Sequence, residues 1–128
     1  MLLPFHLSFV VEDKAAVKKF YTEVLGCNLG RETDTWFDLL LFGHQLTVHQ
    51  ATERKPAVKI DHFGPILDKA QWQDALAKCM DRDLTFLMPP AIRNEGKANE
   101  SGKFKIRDPA GNVLELKYYL DFGSIMGG

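Results

Sequence analysis

The chain has few cysteines, almost no net charge and no long apolar segment. Its two cysteines, Cys27 and Cys79, lack the spacing of a zinc or redox motif, so we expect both to stay reduced. A formal net charge of −1 gives no indication of binding to nucleic acid or to an anionic membrane surface. No apolar run is long enough to span a bilayer, and the N-terminus lacks the basic region of a signal peptide. We therefore expect a cytoplasmic protein.

The length and the order of elements predict one domain, residues 1–128, built from a duplicated module. In the first half, residues 5 to 11 alternate as a strand does, Asp13 can cap a helix, and Gly26 can end it. Strands should follow near residues 29–33, 36–42 and 45–50, after which a polar link covers residues 51–56. The first half is therefore predicted to be β-α-β-β-β.

The second half repeats this order. Residues 58–67 are predicted as a strand, Asp68 as the cap of a helix, and Pro89-Pro90 as the stop of a strand over residues 84–88. A long polar loop is expected from Arg93 to Gly102, followed by strands over residues 103–107 and 113–119. The fold class is thus α+β. Two βαβββ modules, about 4–50 and 58–119, should form one curved mixed sheet with the helices on its convex side.

Four residues of metal-ligand type occur at corresponding places in the two halves. His6 and His62 lie in the first strand of each half, and His49 and Glu115 lie in the last. Side chains alternate along a strand, so the apolar residues of these strands, such as Phe5 and Phe9, should face the helix. The ligand-type residues then fall on the opposite face, which predicts a divalent-metal site.

These residues carry a resemblance to a known family. His6, the duplicated βαβββ order and residues 108–116 (DPAGNVLEL) resemble the vicinal oxygen chelate superfamily, over residues 5 to 119. That group includes glyoxalase I, extradiol dioxygenases, fosfomycin-resistance transferases and bleomycin-binding proteins. Four short segments resemble, more narrowly, the small single-domain proteins described as predicted extradiol-type dioxygenases: residues 4–7, 42–45, 61–64 and 114–117.

The resemblance implies a site and a reaction. It assigns His6, His62 and Glu115 as metal ligands, the two-histidine, one-carboxylate triad that suits Fe(II), although Mn, Zn or Ni would also fit these ligand types. His49, thirteen residues before His62, would then be the acid–base catalyst for an aromatic or enediol substrate. One departure is that residues 104–107 (FKIR) lack the tyrosine of larger extradiol enzymes. The family also implies a homodimer that binds a small molecule.

Two other functions stay open at this stage. In a glyoxalase-like lyase or isomerase, His49 would be a fourth ligand to Zn or Ni. In a metal-free protein, the same cleft would sequester a small molecule. Outside the ligand set, Trp36 is predicted to pack in the sheet or to stack on a substrate, and His44 to be exposed in a turn. Lys103, Lys105 and Arg107 are predicted to form a solvated edge.

Overall fold

The computed structural model describes residues 2–123, and Met1 and residues 124–128 lie outside the described part. The chain divides into two compact units, of which the first comprises Met1–Ile60 and Asp108–Asn112. The second comprises Asp61–Arg107 and Val113–Gly128. No helix within residues 2–123 is both long and apolar enough to cross a membrane. The grouping into one domain stays a prediction.

The first unit has the predicted β-α-β-β-β order. Asp13 accepts a hydrogen bond from the backbone N of Ala16 and so begins the helix, as its position predicted. The helix widens into a π-helical turn before Gly26, whose φ of 70° ends it. The elements are β1 (His6–Val11), α1 (Lys14–Lys19, continued by the π-turn Phe20–Val24), β2 (Asn28–Glu32), β3 (Trp36–Leu41) and β4 (His44–Gln50).

The four strands of the first unit form a sheet in the order β1-β4-β3-β2, with β1 parallel to β4 and the other pairs antiparallel. Phe9 and Val11 are buried as the alternation predicted, but Phe5 is 62% exposed because β1 begins only after it. The buried Tyr21 hydroxyl donates a 2.9 Å hydrogen bond to Asp108, which fastens the turn Asp108–Asn112 within this unit. The buried set that covers one face of the sheet also includes Val17, Phe20, Leu25, Phe37, Leu39, Leu41, Leu46 and Val48.

The second unit repeats the plan with a much shorter first strand. Asp68 and Gln71 form a capping box that begins its helix. Trp72 of that helix is buried against Phe104 and Tyr118 and donates from Nε1 to the carbonyl of Leu116. The elements are β5 (Ile66–Leu67), α2 (Lys69–Asp81), β6 (Met88–Arg93), β7 (Ser101–Arg107) and β8 (Val113–Tyr119), and the sheet order is β5-β8-β7-β6.

The duplicated α+β fold is confirmed, and the sheet arrangement differs from the prediction. Among the described residues, strands pair only within their own unit, which gives two four-stranded sheets where one continuous sheet was expected. The predicted strand over residues 58–67 shrinks to Ile66–Leu67, preceded by an isolated bridge between Phe63 and Leu114. Pro65 has no N–H to contribute to a longer ladder at this point.

The prolines near residue 90 also act differently from the expectation. They do not end a strand but lie inside β6, where the register shifts between Met88 and Ala91. An edge strand tolerates proline because one side of it makes no ladder hydrogen bonds. The predicted loop from Arg93 to Gly102 is shortened to the turns between β6 and β7.

Glu100, in the loop before β7, should make the stability of this unit depend on acid pH. The backbone N–H of Gly96, the Lys69 ammonium and the Tyr118 hydroxyl lower the pKa of its carboxyl to about 2. Because folding lowers the pKa of this carboxyl, the ionised Glu100 stabilises the fold at pH values above 4.5, its ordinary pKa. That contribution is lost as the pH falls from 4.5 towards 2. The free energy of unfolding should therefore drop over this interval, and Glu100→Gln should flatten the drop. An unchanged pH slope in the variant would contradict the assignment.

Candidate functional site

His6 and His49 lie on the same face of the first sheet. In the parallel ladder of β1 and β4, His6 is opposite Gln45 and Val10 is opposite His49. Because residues two and four positions apart along a strand share a face, both imidazoles stand on the side away from the apolar set. His49 is also opposite Trp36 of β3, with ring centroids 6.3 Å apart. Both histidines therefore lie on the face that strand alternation predicted for them, towards opposite ends of the ladder of β1 and β4.

The environment of His49 favours a neutral imidazole. Burial and the positive charge of Lys55 lower its pKa from the ordinary 6.5, and the charge of Asp38 opposes them only in part. At pH 7 the ring is therefore uncharged and can accept a proton. The indole of Trp36 is half-buried beside it, with the Arg31 guanidinium 5.2 Å from the indole centroid. One side of Trp36 is thus occupied by a protein cation.

Asp38 is a residue of this face that the sequence reading missed. Its carboxylate is 3% exposed and accepts hydrogen bonds from Thr47 at 2.6 Å and from Arg31 at 2.7 Å. Burial raises its pKa, but the two donors and the Arg31 charge outweigh burial and hold the pKa below its ordinary value. A usable signal was present, because Asp38 interrupts the apolar run of β3 on the side that His49 occupies.

In the second unit, His62 and Glu115 lie on one face of neighbouring segments. The backbone N of Phe63 donates to Val113, and the N of Glu115 donates to Phe63, which forms a short parallel bridge centred on Leu114. Residues on either side of the bridge, His62 on one segment and Glu115 on the other, therefore project to the same side. His62 precedes the bridge and is not within a strand, contrary to the prediction.

The neighbouring residue Asp61 orients the ring of His62. Its carboxylate lies 2.6 Å from His62 Nδ1, and both side chains are open to solvent. A carboxylate on one ring nitrogen sets the tautomer and leaves the other nitrogen available as a metal ligand. This arrangement is typical of metal-binding histidines.

Glu115 is buried and lies between two lysines. Its carboxylate oxygens are 3.4 Å from the ammonium groups of Lys105 and Lys117. Burial raises its pKa, but the hydrogen bonds and charges of these lysines outweigh it, so that the pKa lies below its usual value and the group is ionised at neutral pH. Lys105 is therefore a partly buried partner of Glu115, with 28% of its side chain exposed, and not part of a solvated edge.

A cavity of about 290 Å³ opens beside Glu115 within the second unit. Three cations line it, Arg93, Lys103 and Lys117, and Glu115 is the only acidic residue among the described residues of its wall. Sequence reasoning did not anticipate this concentration of positive charge, because it depends on which residues of β7 and β8 face each other.

The donors have the right chemistry for a divalent ion, and they are divided between the two units. Imidazole nitrogens and an ionised carboxylate are suitable ligands for Fe, Mn, Zn or Ni. His6 and His49 belong to the first unit, and His62 and Glu115 to the second. Within residues 2–123, no three side chains of His, Cys, Asp or Glu form a group that could hold a metal ion. His6, His62 and Glu115 therefore remain a predicted ligand set.

His44 has a structural role outside this set. Its Nδ1 accepts a 2.8 Å hydrogen bond from the backbone N of Phe5, and the side chain is half-buried where the prediction had it exposed. It fixes the start of β4 against the segment before β1. His44 is thus available as a control for experiments on His49.

Comparison with known proteins identifies the family. The family model described as glyoxalase/bleomycin resistance protein/dioxygenase superfamily matches residues 4–116. A solved structure with that same description, from Alicyclobacillus acidocaldarius, is 32% identical with a TM-score of 0.76 and covers 92% of each chain. Among curated proteins no match is found.

Two more distant structures share the fold. A lactoylglutathione lyase from Agrobacterium tumefaciens is 18% identical with a TM-score of 0.69, over 93% of this chain and 95% of that one. A fosfomycin resistance protein from Listeria monocytogenes is 13% identical with a TM-score of 0.65, over 92% and 94%. The duplicated βαβββ order, the family model and the 32% identical structure agree. This chain belongs to the glyoxalase/bleomycin resistance protein/dioxygenase superfamily, the vicinal oxygen chelate group.

Proposed function

We propose that the protein is a metal-dependent dioxygenase of the extradiol type, with Fe(II) as the cofactor and a small aromatic or enediol compound as the substrate. The observation that carries the choice of reaction is His49, a partly buried imidazole whose pKa lies below 6.5. A residue that stays neutral at pH 7 on a sheet face can remove the proton of a substrate hydroxyl. We include cytoplasmic residence and a homodimer in this proposal.

His6, His62 and Glu115 would hold the metal ion. Glu115 is ionised, and His62 has its Nδ1 engaged by Asp61, which presents Nε2 as a ligand. When bound, Fe(II) would supply Lewis acidity and open positions that bring substrate oxygens and dioxygen together. His49 would take the hydroxyl proton, and the Trp36 ring beside it would limit access of water.

Metal analysis of protein purified without oxygen or chelators tests the proposal. The expected result is about one Fe per chain and oxygen uptake when a catechol is added. Zn or Ni in place of Fe, with no oxygen uptake, would replace the dioxygenase with a glyoxalase-like lyase. Absence of any metal after incubation with each ion would reject both enzymes.

Replacing His49 by alanine should strongly reduce turnover while leaving the metal in place. The acid–base role is worth about 10²–10⁴-fold in rate. In the wild type, kcat/KM should fall on the acid side at a pH below 6.5, as His49 becomes protonated, and this limb should be missing from the residual activity of the variant. His44→Ala, in the same strand, is the matched control. Loss of metal in His49→Ala would instead make His49 a ligand.

A metal-free binding protein is the second candidate, and one observation favours it. The ionised Glu115 carboxylate already forms ion pairs with two ammonium groups at 3.4 Å, so a divalent ion must compete with these lysines. If these lysines suppress metal binding, Lys105→Gln should increase metal affinity at Glu115. Metal titration of the wild type and of Lys105→Gln distinguishes the two explanations. Competition by the lysines predicts higher affinity in the variant, whereas absence of a metal site predicts no difference.

A further inference from the structure

We propose that the face of the second sheet around Glu115 binds a small organic oxyanion, a carboxylate or phosphoryl group of the substrate, through Arg93, Lys103 and Lys117. We call these three residues and Lys105 the cationic face. The proposal deepens the proposed function by naming the class of substrate, and only the identification of the anion as a substrate rests on that function.

The register of β7 and β8 places two lysines directly against each other. Lys103 is opposite Lys117 in the antiparallel ladder, so their side chains leave the same face of the sheet from adjacent backbone positions. Like charges directly opposite on neighbouring strands destabilise a sheet. An oxyanion between the two ammonium groups would replace this repulsion with two charge-assisted hydrogen bonds.

The charges on this face do not balance. Among the residues that line the cavity or pair with Glu115, Arg93, Lys103, Lys105 and Lys117 carry four positive charges and Glu115 supplies one negative charge, which leaves a surplus of three. Glu115 is shared between Lys105 and Lys117, and no ion pair of Lys103 is formed among the described residues. Only about a third of the Lys105 and Lys117 side chains is exposed, which reduces the solvation that water can provide. The surplus of positive charge therefore favours the binding of an anion.

The cavity gives this charge a pocket of defined size. Its volume of about 290 Å³ is at the small end of the range for small-molecule sites. Ser101 and Tyr119, an opposed pair in the next row of the ladder, also line it and bring hydroxyl groups. The Lys117 ammonium lies 5.8 Å from the centroid of the Tyr119 ring, which offers an aromatic surface next to the cations. A compact anion fits these dimensions, and the overall net charge of −1 disfavours a polyanion such as nucleic acid.

The test is equilibrium binding of two probe anions to the full chain after removal of metal by a chelator. Inorganic phosphate and benzoate are titrated calorimetrically at low ionic strength, with benzyl alcohol as the uncharged probe. We expect saturable binding of at least one anion and none of benzyl alcohol. Binding of phosphate alone indicates a phosphoryl substrate, and binding of benzoate alone indicates a carboxylate. Equal affinity for benzyl alcohol, or no binding of either anion, would overturn the proposal.

Variants show whether the cationic face is responsible. Lys103→Gln and Lys117→Gln should each weaken anion binding about tenfold or more, whereas Lys103→Arg should retain it. Lys78→Gln is the matched control, since Lys78 is on α2, pairs with Asp74 at 3.2 Å and is not part of the cavity wall. Glutamine variants that bind as Lys78→Gln does would refute the assignment. Urea unfolding of each variant checks that a loss of binding is not a loss of fold.

The anion titration and the metal analysis test separate proposals, and either proposal can be rejected without the other. Lysine-dependent anion binding by a chain that takes up no metal would reject the dioxygenase and keep the anion site. One Fe per chain without anion binding would keep the metal site and reject the anion site.

Discussion

Replacement of Gly64 by alanine is expected to destabilise the second unit by about 3 kcal/mol or more, at the upper end of overpacking costs. A Cβ at this position would overlap the carbonyl oxygen of Glu115 and lie 2.7 Å from its carbonyl carbon. Both are backbone atoms of β8, so no side-chain rotation relieves the clash. The two hydrogen bonds that link Phe63 to Val113 and Glu115 would have to open. Gly64 is thus the residue that lets the segment carrying His62 lie against β8.

Urea unfolding measures this loss, and Gly123→Ala is the control. A Cβ at Gly123 meets its nearest atoms only in the flexible, exposed side chain of Asp121, so its effect should stay within about 0.5 kcal/mol. If the two variants unfold at the same urea concentration, the close approach of Gly64 to Glu115 does not exist in solution. Where Gly64→Ala still folds, its metal affinity should fall as well, because His62 is moved away from Glu115.

The parts of the fold that the sequence predicted are those set by local chemistry. Asp13 and Asp68 were identified as helix caps because their side chains can accept hydrogen bonds from the first turn. The strand over residues 113–119 was predicted with the bounds that the structure has, since its apolar residues alternate and a turn precedes it. Alternation also placed His6, His49 and Glu115 on the faces away from the core, because the period of a strand is fixed by backbone geometry.

The parts that the sequence did not predict depend on which segments pair. Residues 58–65 have strand-like composition, yet of these residues only Phe63 forms a β-bridge, because the approach to β8 is set by Gly64 and Pro65. Met88–Arg93 contains two prolines and still forms an edge strand through a register shift. Both results follow from tertiary pairing, which is not encoded in the local pattern of either segment.

The site was predicted in the same uneven way. The residue types that bind metals were identified by their positions in the duplicated order, whereas Lys103 and Lys105 were predicted only as part of a solvated edge. Lys103, Lys105 and Lys117 acquire a shared role only through the register that places Lys103 opposite Lys117 and Lys105 opposite Glu115. A sequence shows that these residues alternate, but not which of them face one another across the ladder.

Replacing Glu115 by alanine should move the affinities for metals and anions in opposite directions. For the metal, the variant loses a carboxylate ligand and leaves Lys105 and Lys117 without their partner, so the surplus on the cationic face rises from three positive charges to four. Metal affinity should fall by more than the roughly 10–100-fold that follows loss of an outer partner of a ligand. For benzoate or phosphate, the extra positive charge should tighten binding several-fold at low ionic strength.

Titration of Glu115→Ala with Fe(II) under anaerobic conditions and, separately, with benzoate and phosphate measures both effects, with Asp74→Ala as the control. That change also removes the carboxylate partner of a lysine, Lys78, but on an exposed turn of α2 away from the cavity. Near-normal metal occupancy in Glu115→Ala would remove Glu115 from the ligand set, and weaker anion binding would show that Glu115 organises the lysines and does not oppose the anion. Partial unfolding of the variant would not explain opposite shifts in the two affinities, because a damaged fold would weaken the binding of both the metal and the anion. Their occurrence would therefore assign to Glu115 both a ligand role and a limit on the positive charge of the pocket.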